Sequence, residues 1–280
     1  MAQESSDLIG FTDFKIPFLK IPKLQSLRNP FNEPIYYREM QSSSETLVFV
    51  IHGLGGDSRY LTQLGLSISA QSSYHVVLPD LKFHGEMNQG NSVSLQSHQD
   101  IVLELDFLLN NITQRKKITN VVLVGHSLGG AIVLKWLSEK PPRAFSKIVL
   151  ISPYLPEPYN VESIQFSRWI ARDSGNLSLQ FPESSKWGSE IEHYDRTFIR
   201  ACVPETVDFN ECAKLCENLN IVVSDADQIL DIAKYRNFFQ HKIGIKLLEL
   251  SGLSHIGLVT SRSSSLSIAD YLISTGTKLS

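Results

Sequence analysis

Short, mostly apolar runs recur along this chain at 46–51, 75–79, 120–125, 147–151, 220–224 and 245–250. They are rich in Val, Ile and Leu, and such runs read as strands buried on both faces of a parallel sheet. The stretches between them, 59–71, 95–110, 127–139, 227–240 and 264–274, read as helices. In the second of these, Ile101, Leu105, Leu108 and Leu109 repeat at helical spacing and would share one face. Strand and helix in regular alternation predict βαβ units and an α/β fold. Upstream the rhythm differs: runs at 14–19 and 35–40 are separated by Pro22, Asn29, Pro30 and Pro34, which predicts antiparallel strands at one edge. The expected architecture is a mostly parallel, twisted sheet of about eight strands flanked by helices.

One interval breaks this rhythm. Between Pro153 and Asn218 the chain takes far longer than one crossover helix requires, and it carries prolines at 153, 156, 158, 182 and 204. Trp169, Trp187, Phe166, Phe181, Tyr194 and Phe198 also lie here, too aromatic a set for a flexible linker. The expectation is a core built from residues 1–152 and 219–280, with 153–218 inserted as a cap, or lid.

Composition narrows the function. The 280 residues are 42% hydrophobic and 20% charged with a net charge of −3, and Lys and Arg form no block beyond short pairs. A nucleic-acid partner is not expected. No apolar run approaches the ~20 residues of a membrane span. The opening residues Gln3, Glu4, Ser5, Ser6 and Asp7 lack the basic and apolar regions of a signal peptide, so a cytoplasmic protein with no integral membrane segment is expected. Phe166, Trp169 and Ile170, placed on one helical face, would allow transient contact with a lipid surface but more simply roof a pocket. The cysteines Cys202, Cys212 and Cys216 are odd in number and provide no disulfide framework. Cys212 and Cys216 with His193 lack the tight ligand pairs of zinc motifs, and no metal is expected.

The chemistry concentrates at Gly125-His126-Ser127-Leu128-Gly129, a G-x-S-x-G between a buried strand and a helix that starts on small residues. A serine on such a sharp turn has an exposed hydroxyl, and the helix start supplies unpaired N–H groups to a developing oxyanion. Serine is a weak nucleophile without a base, and the base needs an orienting group. Turns of this kind put Ser, acid and His in that order along the chain. The strand at 220–224 ends in Asp225-Ala226-Asp227, two carboxylates where open α/β sheets build their sites. Only His241 and His255 follow. His241 would end a helix before a strand, on the wrong edge of the sheet, whereas His255 follows the strand at 245–250 on the correct one. His255 is the expected base. A second oxyanion donor is available at His52-Gly53-Leu54-Gly55-Gly56-Asp57, where the Leu54 N–H would join that of Leu128. A phosphate loop fits poorly, since Ser58 replaces the third glycine and Asp57 would repel an anion.

Taken with Pro79-Asp80-Leu81-Lys82-Phe83-His84-Gly85, these segments resemble the α/β-hydrolase superfamily and, within it, the monoglyceride lipase and lysophospholipase-like group. The resemblance covers the core and not residues 153–218. It implies that Asp227, the fourth residue of a Gly-x-x-Asp motif, is the triad acid, with Ser224 in place of the usual glycine and Asp225 as the alternative. It implies scaffold roles for His52, His84 and His126. Lys82-Phe83 departs from the small pair usual there. The activity implied is a serine esterase that needs no cofactor. The aromatic residues of 153–218 add the expectation of apolar, lipid-like acyl esters, a small-molecule substrate seated against Trp169 and Trp187. A thioesterase or aminopeptidase on the same triad, or a slow-turnover ligand-binding protein, is the alternative. Neither natural substrate nor oligomeric state is written in the sequence.

Overall fold

A computed structural model of the chain describes residues 19–85, 92–93, 100–139, 141, 144–155, 159, 161–180, 191–215, 219–240, 242 and 244–274. The strands are β1 (Leu24–Arg28), β2 (Pro34–Met40), β3 (Thr46–Ile51), β4 (His75–Pro79), β5 (Ser92–Val93), β6 (Asn120–His126), β7 (Lys147–Ile151), β8 (Ile170–Asp173), β9 (Asn176–Leu179), β10 (His193–Tyr194), β11 (Leu219–Ser224) and β12 (Ile245–Leu250). The helices are α1 (Thr62–Ser72), α2 (Ile101–Arg115), α3 (Leu128–Ser138), α4 (Phe166–Trp169), α5 (Arg196–Cys202), α6 (Phe209–Lys214), α7 (Ile232–Phe239), α8 (Gly257–Thr260) and α9 (Arg262–Ser274).

The main sheet has eight strands in the order β1-β2-β4-β3-β6-β7-β11-β12. All pairs from β4 to β12 are parallel, and β1 and β2 close one edge antiparallel. Alternate residues of one strand face opposite layers, as the pleat requires. Leu47, Phe49 and Ile51 of β3 join Leu123 and Leu150 in the layer under α2, α3 and α7, where Leu105, Leu108, Trp136 and Tyr235 pack. Val48 and Val50 join Val122, Val124 and Val149 beneath α1, α8 and α9, against Leu64, Ile68, Leu258 and Ile268. That double burial is why these strands read as continuous apolar runs.

Several boundaries differ from expectation. The antiparallel partner of β2 is β1 at Leu24–Arg28; of the run proposed at 14–19, residues 14–18 lie outside the described residues. Helix α2 starts at Ile101 because Asp100 caps it, its carboxylate accepting the N–H groups of Val102 and Leu103. Residues 95–99 of that expected helix are outside the described set. Helix α7 starts at Ile232 and not at residue 227, since Asp227 Oδ1 accepts the N–H groups of Ile229 and Leu230 in a tight turn and Asp231 then caps the helix. The helical face expected to carry Phe166, Trp169 and Ile170 is a single turn, with Ile170 already the first residue of β8.

Between β7 and β11 lie α4 to α6 and a second sheet, ordered β5-β10-β9-β8. Its edge strand β5 comes from residues 92–93, well before Pro153, so this sheet also draws on the first part of the chain. Among the described residues no helix is long and apolar enough to cross a membrane.

Candidate active site

Ser127, Asp227, His255 and the turn with Gly53 and Leu54 all follow the carboxyl ends of parallel strands. Ser127 joins β6 to α3 with φ 54° and ψ −117°, a backbone conformation that is strained for any residue but glycine. The surroundings hold it there. Its N–H donates to the Ile151 carbonyl at 2.9 Å, and its own carbonyl accepts from Gly130 and Tyr154, each at 2.9 Å. A Cβ on Gly125 would stand 2.5 Å from the Gly129 carbonyl oxygen, and one on Gly129 would meet the Ile51 carbonyl. Only glycine lets helix and strand approach this closely, which is the physical content of G-x-S-x-G.

His255 follows β12, and its Nδ1 lies 2.8 Å from Asp227 Oδ2. Burial alone would raise the Asp227 carboxyl, but the charge and hydrogen bond of His255, with backbone N–H donors, hold it below the ordinary carboxylate range. A carboxylate on Nδ1 fixes the tautomer and leaves Nε2 as the acceptor. The His255 peptide is pinned on both sides: its N–H donates to Gln228 Oε1 at 2.9 Å, and its carbonyl accepts from His126 Nε2 at 3.0 Å. Burial, then the neighbouring His255, lowers His126 to about 3, so it acts as a neutral donor.

Asp225 sits elsewhere. It is exposed, and its Oδ1 accepts the Gly252 N–H at 2.7 Å. Ser224, where a glycine was expected, ties the two loops together: its Oγ accepts from Leu253 N at 3.1 Å and Ala226 N at 3.3 Å. Trp187 and His241 lie outside the described residues.

The turn after β3 passes against Ser127, since a Cβ on Gly53 would stand 2.9 Å from Ser127 Cβ. Within it the Gly55 N–H donates to Tyr194 Oη at 2.8 Å, and the Gly56 N–H to the Gly53 carbonyl at 3.3 Å. No turn or loop bond among the described residues uses the Leu54 or Leu128 N–H. His52 accepts the Leu81 N–H at Nε2, and the sequence expectation of a structural histidine describes that bond. His84 donates from Nδ1 to the Lys82 carbonyl and accepts from Tyr194 Oη at 2.9 Å. Burial, then His52, holds His84 at about 3. Lys82 forms ion pairs with Glu33 and Glu104.

Sequence reasoning missed Tyr194 and Gln228. Tyr194 meets Gly55 at a sequence separation of 139, and no local pattern reports such a contact. Gln228 was visible as the neighbour of Asp227, but the turn that aims its side chain was not.

Ser127, His255 and Gln228 face one cleft of about 640 Å³, its open mouth included. Leu54, Tyr60, Trp169, Ile170, Leu179, Ile229 and Val259 give it largely apolar walls, and its described lining contains no Asp, Glu, Lys or Arg. Such a cleft suits an apolar ligand with one polar, reacting end.

Comparison with known proteins adds the family and the fold. Over 190 residues the chain is 25% identical to the monoglyceride lipase of Rattus norvegicus, covering 66% of this chain and 61% of that one. Over 174 residues it is 27% identical to protein phosphatase methylesterase 1 of Candida albicans, covering 61% and 45%. The chain thus spans about half the length of the curated relatives it matches. Among solved structures, a soluble variant of monoglyceride lipase from Saccharomyces cerevisiae in complex with a substrate analog superposes with a TM-score of 0.69 at 15% identity, covering 92% of this chain and 97% of that one. A pyrethroid hydrolase from Sphingobium faniae superposes with a TM-score of 0.60 at 17% identity, covering 84% and 98%. These share the fold. Residues 42–252 match the family Hydrolase_4, serine aminopeptidase S33, and the chain belongs to this family of α/β hydrolases.

Proposed function

We propose that this chain is a serine esterase that transfers an apolar acyl group to Ser127 and then to water. The observation that carries the reading is the 2.8 Å His255–Asp227 pair in the same cleft as a serine held in a strained turn. In this mechanism His255 Nε2 takes the Ser127 proton as Oγ attacks the ester carbonyl, and Asp227 supports the imidazolium that forms. The N–H groups of Leu54 and Leu128 stabilise the oxyanion. His255 then protonates the departing alkoxide, and water repeats the sequence to release the acid.

Residues 153–218 act as a cap in this reading, with Trp169 and Ile170 supplied to the wall that seats the acyl chain. An apolar acyl group is favoured over a peptide because holding a free amine calls for an acidic side chain, and the described lining has none. The lipase and methylesterase relatives support ester cleavage in general terms.

The test is labelling with a fluorophosphonate together with hydrolysis of acyl esters of graded chain length. Wild-type protein is expected to take the label and turn over medium and long chains. Ser127→Ala is expected to do neither while keeping its circular dichroism and melting temperature. Turnover that persists in Ser127→Ala would overturn the mechanism.

A further inference from the structure

The walls of the cleft are largely apolar, and one residue with an uncharged amide side chain, Gln228, is part of the lining together with Ser127 and His255. Its conformation is held from two directions. The Gln228 backbone carbonyl accepts the Ser163 hydroxyl, and the Ser163 N–H donates to the Ile229 carbonyl at 2.9 Å. At the other end of the residue, Oε1 accepts the His255 N–H at 2.9 Å. That bond also decides which way the carboxamide points, because an N–H must face an oxygen and not an NH2 group. The Nε2 amide is therefore turned away from the His255 peptide, and among the described residues it has no acceptor.

The chemistry says which part of a substrate this donor meets. In acyl transfer the imidazole must reach the oxygen of the departing alcohol, so the alcohol portion lies on the His255 side of the carbonyl. Gln228 is bonded to the His255 backbone and lies on that side. We infer that Gln228 is a specificity-determining residue that donates a hydrogen bond from Nε2 to an oxygen acceptor in the alcohol portion of the ester, while its Oε1 positions His255. The preferred substrates are then esters whose alcohol carries a further oxygen close to the ester bond, rather than esters of plain alkyl alcohols. This rests on the serine-esterase reading above. The apolar walls account for the acyl chain, and Gln228 adds the requirement at the opposite end.

Two esters of one acyl acid isolate the effect: the 2-methoxyethyl ester, whose ether oxygen accepts but cannot donate, and the n-butyl ester, which has the same shape without that oxygen. The quantity read is the ratio of their kcat/KM values in each variant, in which the different intrinsic reactivities cancel. Gln228→Met keeps the volume and removes both hydrogen bonds. Gln228→Glu keeps an acceptor for the His255 N–H and removes the donor. Both variants are expected to lower the methoxyethyl-to-butyl ratio about fivefold, the scale of one net hydrogen bond. On the pH plateau above the acid limb, Gln228→Met is expected to lower kcat on the butyl ester more than Gln228→Glu does, since it alone releases the His255 peptide. Gln228→Glu is expected to shift the acid limb of the pH–rate profile upward, because a carboxylate beside the imidazole favours its charged form.

An unchanged ratio in both variants, with fluorophosphonate labelling intact, would overturn the role of Gln228 and leave the esterase reading standing. If wild-type protein is not labelled and cleaves neither ester, both readings fall together.

Discussion

Two imidazole–carboxylate pairs are buried at opposite ends of the same sheet, and in distance they are nearly indistinguishable. His75 Nε2 lies 2.7 Å from Glu39 Oε1, and His255 Nδ1 lies 2.8 Å from Asp227 Oδ2. What separates them is the second ring nitrogen. His75 Nδ1 accepts the Ser42 N–H at 3.2 Å, so both of its nitrogens are occupied and its side chain is 0% exposed. His255 Nε2 has no partner among the described residues, and the ring is on the wall of a cleft that also contains Ser127. A histidine on a carboxylate is thus a structural pair at one end and, in the proposed esterase reading, the base at the other. The distinction lies in whether the remaining lone pair is left open to a ligand.

The comparison breaks most sharply if the two pairs are disabled in turn. Asp227→Asn is expected to reduce kcat on the order of 10⁴-fold, the loss seen when a triad acid is replaced in the best-studied serine protease. Asp225→Asn, which alters exposed contacts to Gly252 and Ser251, is expected to stay within a few-fold of wild type in the same ester assay. The reverse result would move the triad acid by two residues.

At the other end, His75→Ala is expected to cost about 3 kcal/mol in denaturant unfolding, the scale for stripping one partner from a buried pair, with kcat unaltered while the protein stays folded. The pH dependence gives the sign. Burial would raise Glu39, yet hydrogen bonds from His75, Gln41 and Gln25 bring it from 4.5 down to about 2. A carboxyl with a lowered folded-state pKa contributes stability above its unfolded value and loses it as pH falls through the folded one. The stability gap between wild type and Glu39→Gln is therefore expected to be full above about pH 5 and to close toward pH 2. A gap that does not change with pH would mean that the Glu39 charge carries none of it.

The smallest expected effect concerns the cleft wall. Trp169→Ala is expected to lower kcat/KM for long acyl esters several-fold and to leave an acetyl ester near wild type, since one buried methylene contributes roughly 0.8 kcal/mol. Equal losses on both esters would make Trp169 a packing residue and weaken the case for an apolar acyl group.

How much of this was legible in the sequence follows from the range of the interactions involved. The parallel strands were readable because both faces are buried, as at β3, where Leu47 and Phe49 face one layer and Val48 and Val50 the other. Ser127 was readable because a close helix–strand approach requires glycines at fixed offsets from it. Asp225 and Asp227 could not be separated by spacing alone, because the turn that distinguishes them is made by side-chain bonds from Ser224 and from Asp227 itself. The start of α7 moved for the same reason. Between β7 and β11 the elements are short, and four-residue strands such as β8 and β9 carry too few positions for periodicity to mark them. Aromatic content indicated that this stretch packs, and nothing in it announced that Tyr194 would reach the turn after β3.

The Gly55–Tyr194 bond has a bearing on how the chain acquires its activity. The Ser127 turn is assembled from β6 and α3, neighbours in sequence that can form early. The turn after β3 is different, because one of its N–H groups is satisfied only once a hydroxyl 139 residues downstream has docked. Contacts of such high sequence separation carry a large loop-closure entropy and tend to be made late in folding. A growing or partly folded chain can therefore display its serine while the neighbouring turn is still incomplete. Under the proposed mechanism, competence for acyl transfer is then among the last properties to arrive, and it reports that distant parts of the chain have found each other.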